Sequence, residues 1–442
     1  MRVKKVNIKN LFELYDHEIN LNMENHITII HGQNGVGKTI ILEMIKSLFC
    51  LDYKIFYDIP FDEFSVSFDD GNTICLKKIV NKKSSSENNC FQHDTPKNEI
   101  SLILSHSNNK NKNVIIKKRI DDRKDIFSLI RTVPGLIRID DDKWIYDPEN
   151  EIYSSDEIMW KFGLNFDEKN MKEWFINIKK SININFITTQ RLFTFKRLKR
   201  DFEYSKGAPI ENTVMDYSRE LSDAIQKKLA EYASLSQSLD RTFPIRLAKT
   251  KDDVNINKLK EYLSSLEERR TNLIKTGLLD EEKEINFREF QELTEENAHV
   301  LSVYIEDVKK KLDVFNELRD KIYLFVNIIN SRFANKSISI NKNTGFIFTT
   351  SNNKKILPTN LSSGEQHELI LYYELLFRIK HKSLILIDEP EISLHIGWQK
   401  DFLSDLQKVL ELVDLDVLIA THSPDIIEDR WDLTVKLDTS FR

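Results

Sequence analysis

Eight residues, Gly32-Gln33-Asn34-Gly35-Val36-Gly37-Lys38-Thr39, constrain this chain more than any other feature. They satisfy the pattern Gly-x-x-x-x-Gly-Lys-[Ser/Thr]. They lie between an apolar run, Ile27–His31, and a helical pattern through Leu42, Ile45 and Phe49. Strand, glycine-rich turn and helix in that order gather backbone N–H groups and the positive end of a helix at one point, which suits phosphate. Asn34, Gly35 and Gly37 line the turn, Lys38 brings charge to the outer phosphates, and the Thr39 hydroxyl is a candidate ligand for Mg²⁺. A strand feeding such a turn belongs in a sheet flanked by helices, so the fold class is α/β.

Other segments carry chemistry of the same kind. Leu384–Ile387 is an apolar run ending in Asp388 and Glu389. An uninterrupted apolar strand belongs mid-sheet, and its carboxyl end is where open α/β sheets bind ligands. Asp388 suits Mg²⁺, and Glu389 is placed to orient or deprotonate an attacking water. Val417–Ala420 is a second such strand, followed by Thr421, His422 and Ser423. Leu361-Ser362-Ser363-Gly364-Glu365-Gln366 opens a helix that runs to about Arg378. A serine followed three residues later by glutamate is a capping box, and a helix N-terminus with small residues before it is also an anion site.

Together these motifs resemble the ABC/SMC/RecF group of ATPases, whose signature is similar to Leu-Ser-Gly-Gly-Gln. Here Ser363 replaces the first glycine, and Glu365 stands where the SMC branch commonly has glutamate. The resemblance implies that Ser362, Gly364 and Glu365 complete the site of a second copy by meeting the γ-phosphate held there. It makes Glu391-Ile392-Ser393-Leu394-His395 the D-loop and His422 the switch histidine. Gln190, after Ile184–Thr189, becomes the Q-loop glutamine that touches Mg²⁺ and the attacking water, with Arg191 as a phosphate or interface contact. The implied fold is an ABC-type ATPase head, a mixed sheet with flanking helices, with ATP and Mg²⁺ as cofactors. A monomer is then expected to hydrolyse weakly.

Residues 213 to 333 read differently. Leu221, Ile225, Leu229, Tyr232, Leu235 and Leu239 recur at spacings of three and four, as do Val308, Leu312, Phe315, Leu318, Ile322 and Phe325. These stripes predict either a helical bundle or a short coiled-coil arm. Pro244 and Gly277 are expected to break the helices. The domain plan is 1–200 for the first half of the head with an inserted β/α region, 201–335 for the helical insertion, and 336–442 for the second half. Phe64–Phe68, Asp69-Asp70-Gly71-Asn72 and Thr73–Leu76 predict a β-hairpin.

Composition excludes some classes. Lys+Arg 65 against Asp+Glu 70 gives a net charge of -5, which is not that of a bulk polyanion binder. Cys50, Cys75 and Cys90 form no CxxC pair for zinc or redox chemistry, and a cytoplasmic setting fits them. The N-terminus reads as a strand, and no apolar run approaches the roughly 18 residues of a membrane span.

The insertion is far shorter than the arms of chromosome-organising SMC proteins, and the sequence carries no TOPRIM-like acid cluster. With Leu361-Ser362-Ser363-Gly364-Glu365-Gln366-His367-Glu368 and Ala420-Thr421-His422-Ser423-Pro424, the chain looks like the ATPase subunits of prokaryotic anti-phage defence, nearest the AriA-type ATPase of PARIS systems, then Septu- and retron-associated ATPases. That likeness implies a separate TOPRIM or HNH nuclease as partner, and a phage protein or DNA as trigger. The alternative is a RecF/SMC-like repair ATPase that clamps DNA. Lys196, Arg197, Lys199 and Arg200 serve that reading as a phosphate patch, or are a solvated face.

Overall fold

The computed structural model describes residues 1–50, 53–81, 99–107, 114–117, 133, 135–140, 143–146, 151–154, 158, 173–187, 193–195, 210–249, 256–280, 295–392 and 394–437. The chain divides into two compact units, one of residues Met1–Glu211 with Ile379–Arg442, the other of Asn212–Arg378.

In the first unit a five-stranded sheet runs in the order Asn183–Ile187, Ser383–Asp388, Leu415–Ala420, Ile27–His31, Thr434–Lys436, all parallel. Its central strands are mainly apolar because both faces are covered, and Ile29, Ile30, Ile385, Leu386, Leu418 and Ile419 are fully buried. The register sets Asp388 beside Ala420 and Ala420 beside Ile30. The Gly32–Thr39 turn, the Asp388-Glu389 pair and Thr421-His422 therefore all leave the same carboxyl edge. This is where a sheet of this type binds its ligand.

An antiparallel sheet of six strands, among them Val3–Leu11, Glu63–Phe68, Thr73–Asn81 and Glu99–His106, shares this core. The hairpin predicted around Gly71 is present, with Gly71 at φ +83°. Helix Lys38–Cys50 lies against the parallel sheet, and its Phe49 meets Phe68 of the antiparallel one edge-on. Ile41, Leu42, Met44, Ile45 and Leu48 join one apolar cluster with Phe56, Phe64, Leu76, Leu386 and Leu418. Burial on this scale, about 1.5–3 kcal/mol for each large side chain, fixes where the helix begins and so where its N-terminus points.

The second unit holds helices Thr213–Lys249, Ile256–Lys275, Glu295–Asp313 and Asn316–Arg332, then a hairpin, Lys336–Asn341 with Gly345–Thr350. Helix Glu295–Asp313 packs against both Thr213–Lys249 and Ile256–Lys275, burying Leu239, Leu259, Leu263, Leu266 and Leu312. Gly277 ends its helix as expected. It sits at φ +74°, Leu278 N–H reaches back to Leu273 O at 3.0 Å, and a Cβ there would lie 2.0 Å from Ile340 O.

Pro244 does not break its helix, contrary to expectation; it lies inside the 37-residue Thr213–Lys249. Side chains brace the surrounding turns. Thr242 donates to Ser238 O at 3.0 Å and Arg246 donates to Leu239 O at 2.8 Å. The same guanidinium forms a two-pronged ion pair with Asp307, which pins the last turn to helix Glu295–Asp313. Among the described residues no helix is long and apolar enough to cross a membrane.

Candidate active site

The glycine-rich turn reaches its shape through positive φ at Gly35 (+87°) and Gly37 (+100°). A Cβ on Gly37 would lie 2.6 Å from Leu11 Cδ2 and 3.3 Å from Phe12 Cε2, whereas one on Gly35 would meet nothing within 4 Å. Lys38, only 6% exposed, donates from Nζ to Gly32 O at 3.0 Å and Gln33 O at 3.3 Å. The ammonium thus lies across the mouth of its own turn. His17, buried on strand Tyr15–Asn20, bonds from Nε2 to Val36 O at 2.9 Å and braces the turn from behind. Sequence reasoning missed it, since nothing local marks a histidine one strand earlier.

Thr39 lies in the first turn of helix Lys38–Cys50, and its Oγ1 donates to Asp388 Oδ1 at 3.1 Å. Two ligands at right angles on an octahedral ion with bonds of about 2.1 Å lie about 3 Å apart, so these hard oxygens fit Mg²⁺. Burial raises the Asp388 carboxyl above its ordinary value, and Glu389 and Glu391 add to the effect, while the Thr39 hydrogen bond and Lys38 oppose it. An anion that is costly to desolvate beside other acids gains from a cation.

Glu389 follows with φ +43°, rare for a side chain other than glycine, and its N–H bonds to Ala420 O at 2.8 Å. This turn brings Glu389 Oε1 within 3.3 Å of His422 Nδ1. Glu391 Oε1 lies 3.6 Å from the same nitrogen. It also accepts the Thr421 hydroxyl at 2.7 Å and the His422 N–H at 3.1 Å. Gln399 completes the layer, accepting from Ser423 Oγ at 3.0 Å and donating to Glu391 O at 3.3 Å.

The site residues named from sequence thus fall into three sets. Gly35, Gly37, Lys38, Thr39, Asp388, Glu389 and His422 gather at the sheet edge in the first unit, with Asn34 in the same turn. Gln190 lies outside the described residues, as do Arg191, Ser393 and the basic cluster Lys196, Arg197, Lys199 and Arg200. Ser362, Gly364 and Glu365 belong to the second unit.

There the capping box is formed. Ser362 N–H donates to Glu365 Oε2 at 2.7 Å, Ser362 Oγ donates to the same oxygen at 2.9 Å, and Glu365 N–H returns to Ser362 Oγ at 3.4 Å. Lys336 binds both Glu365 oxygens, at 2.8 and 2.7 Å. Beneath, Arg332 Nε and Glu368 Oε1 form an ion pair at 3.1 Å, with side chains 2% and 0% exposed. Helix Ser363–Tyr373 is thereby tied to helix Asn316–Arg332 and to the hairpin by charges as well as by packing.

The sequence profile described as an AAA ATPase domain matches residues 1–427. The chain belongs to the AAA ATPase domain family. No curated protein matches this ATPase. Solved structures similar to it include the Smc head domain of Pyrococcus furiosus, with an extended coiled coil and bound to the C-terminal domain of ScpA. That match has 13% identity, covers 99% of this chain and 94% of that one, and has a TM-score of 0.34. The SMC head domain of Thermotoga maritima matches at 10% identity over 97% and 92% of the two chains, with a TM-score of 0.32.

Proposed function

We propose that the chain binds ATP with Mg²⁺ at the carboxyl edge of the parallel sheet and hydrolyses it. The observation that carries this reading is the convergence there of Lys38, Thr39, Asp388 and Glu389. The Gly32–Thr39 turn holds the phosphates through its N–H groups, and the Lys38 ammonium exchanges its carbonyl partners for phosphate oxygens. Thr39 and Asp388 hold Mg²⁺, which neutralises phosphate charge when bound. Glu389 takes the proton of the attacking water, and His422, in contact with Glu389, donates to the γ-phosphate.

Ser362, Gly364 and Glu365 complete the site of a second copy, so that two copies enclose two nucleotides. The motif order supports this, together with the positive end of the helix that opens after Ser362. The residues named for the anti-phage likeness support a regulatory role. In that role the ATPase responds to infection and holds or activates a separate nuclease, which a co-purified, stoichiometric nuclease would establish.

Glu389→Gln tests the chemistry. It retains ATP affinity and loses hydrolysis by on the order of 10²–10⁴-fold, the usual contribution of a general base. Hydrolysis at the parent rate by this variant removes Glu389 from the role.

A further inference from the structure

We propose that Glu391 is a positioning residue that locks His422 against Glu389. This inference rests on the ATPase reading of the site. Glu391 follows Pro390 in a short turn, and its side chain is 9% exposed while those of Glu389 and His422 are 27% and 44% exposed. It is therefore the buried member of the three.

One oxygen, Oε1, gathers the Thr421 hydroxyl and the His422 N–H, and stands 3.6 Å from the His422 ring nitrogen. Thr421 is itself fully buried, and its hydroxyl also accepts the Ser423 N–H at 3.0 Å. The carboxylate thus clamps the three residues that leave strand Leu415–Ala420, and does so from the segment that begins at Glu389. Charge-assisted bonds of this kind are short and directional, so they set the position of His422 relative to Glu389 more tightly than the strand ends alone.

The other oxygen, Oε2, is buried with no hydrogen-bond partner among the described residues. Leaving a buried carboxylate oxygen unpaired costs free energy, and such costs concentrate at functional sites.

The test is steady-state hydrolysis with separate kcat and KM, alongside affinity for a non-hydrolysable ATP analogue, for the parent, three single variants and one double variant. Glu391→Ala lowers kcat by on the order of 10²-fold, the cost of misplacing a catalytic group by about 1 Å, while analogue affinity stays at the parent value. Glu391→Gln, whose amide oxygen still accepts both donors through weaker neutral bonds, loses less than about tenfold. Thr421→Val, which fills the same space without the donor, lowers kcat. Its effect vanishes in the Glu391→Ala background, because the two act through one bond. Parent kcat in Glu391→Ala overturns the inference and leaves the ATPase reading standing, as does a parallel loss of analogue affinity in that variant. Additive losses from the two positions also overturn it. A parent protein that does not hydrolyse ATP overturns both.

Discussion

Alanine at Gly35 and at Gly37 should have unequal costs, although both glycines are conformationally alike. Each has φ near +90°, where an alanine costs about 1–2 kcal/mol, offset by about 0.4–1 kcal/mol of lost unfolded-chain entropy. Gly35→Ala ends there, because nothing lies within 4 Å of its new methyl. Gly37→Ala drives a methyl to 2.6 Å from Leu11 Cδ2, and Leu11 is fully buried with Phe12 alongside at 3.3 Å. Overpacking of that kind adds about 1–3 kcal/mol. Urea unfolding without nucleotide measures the difference directly, since the slope converts a shift in midpoint to free energy. Gly37→Ala should be the less stable by about 1–3 kcal/mol. Equal midpoints for the two variants would refute the placement of the turn against Leu11.

Other perturbations follow from the same geometry. Burial acts to raise the Glu365 carboxyl, but Lys336 and the Ser362 N–H and hydroxyl outweigh it and hold the group below its ordinary value. The stability this confers is complete above the ordinary carboxylate value and is lost as pH falls through the lowered one. Amide exchange at the start of helix Ser363–Tyr373 should speed up in that window, and Glu365→Gln should remove the dependence. Glu368→Ala removes the carboxylate paired with the Arg332 guanidinium, itself 2% exposed, and should destabilise by about 3–5 kcal/mol. Replacing both partners, Arg332→Met with Glu368→Leu, should recover most of that loss in urea melts, because apolar packing substitutes well for a buried pair.

The phosphate turn was legible because its chemistry is local: the glycines, lysine and threonine that shape it are eight consecutive residues. The Asp388-Glu389 pair was legible for a related reason, since an apolar run can end in acids only where the strand leaves the sheet. What sequence hid were contacts between distant segments. Pro244 reads as a helix stop until Arg246 is seen to grip Asp307, 61 residues away. His17 matters only because its strand passes behind Val36. The role of Glu391 depends on the register that sets Asp388 beside Ala420 and so brings Thr421 overhead. The Ser362 segment was read with the second half of the head. Its helix instead lies in a compact unit with the long helices, tied there by the buried Arg332–Glu368 pair.

The proposed site is shared: one copy grips the triphosphate through Lys38 while another covers it through Ser362. Mixing two inactive variants, Lys38→Ala and Ser362→Arg, tests this most directly. If sites are shared between copies, random pairing leaves half the dimers mixed, each with one intact site of two, so hydrolysis should return to about a quarter of the parent rate. Hydrolysis that stays at the level of the separate variants, under conditions where the copies exchange, contradicts a shared site.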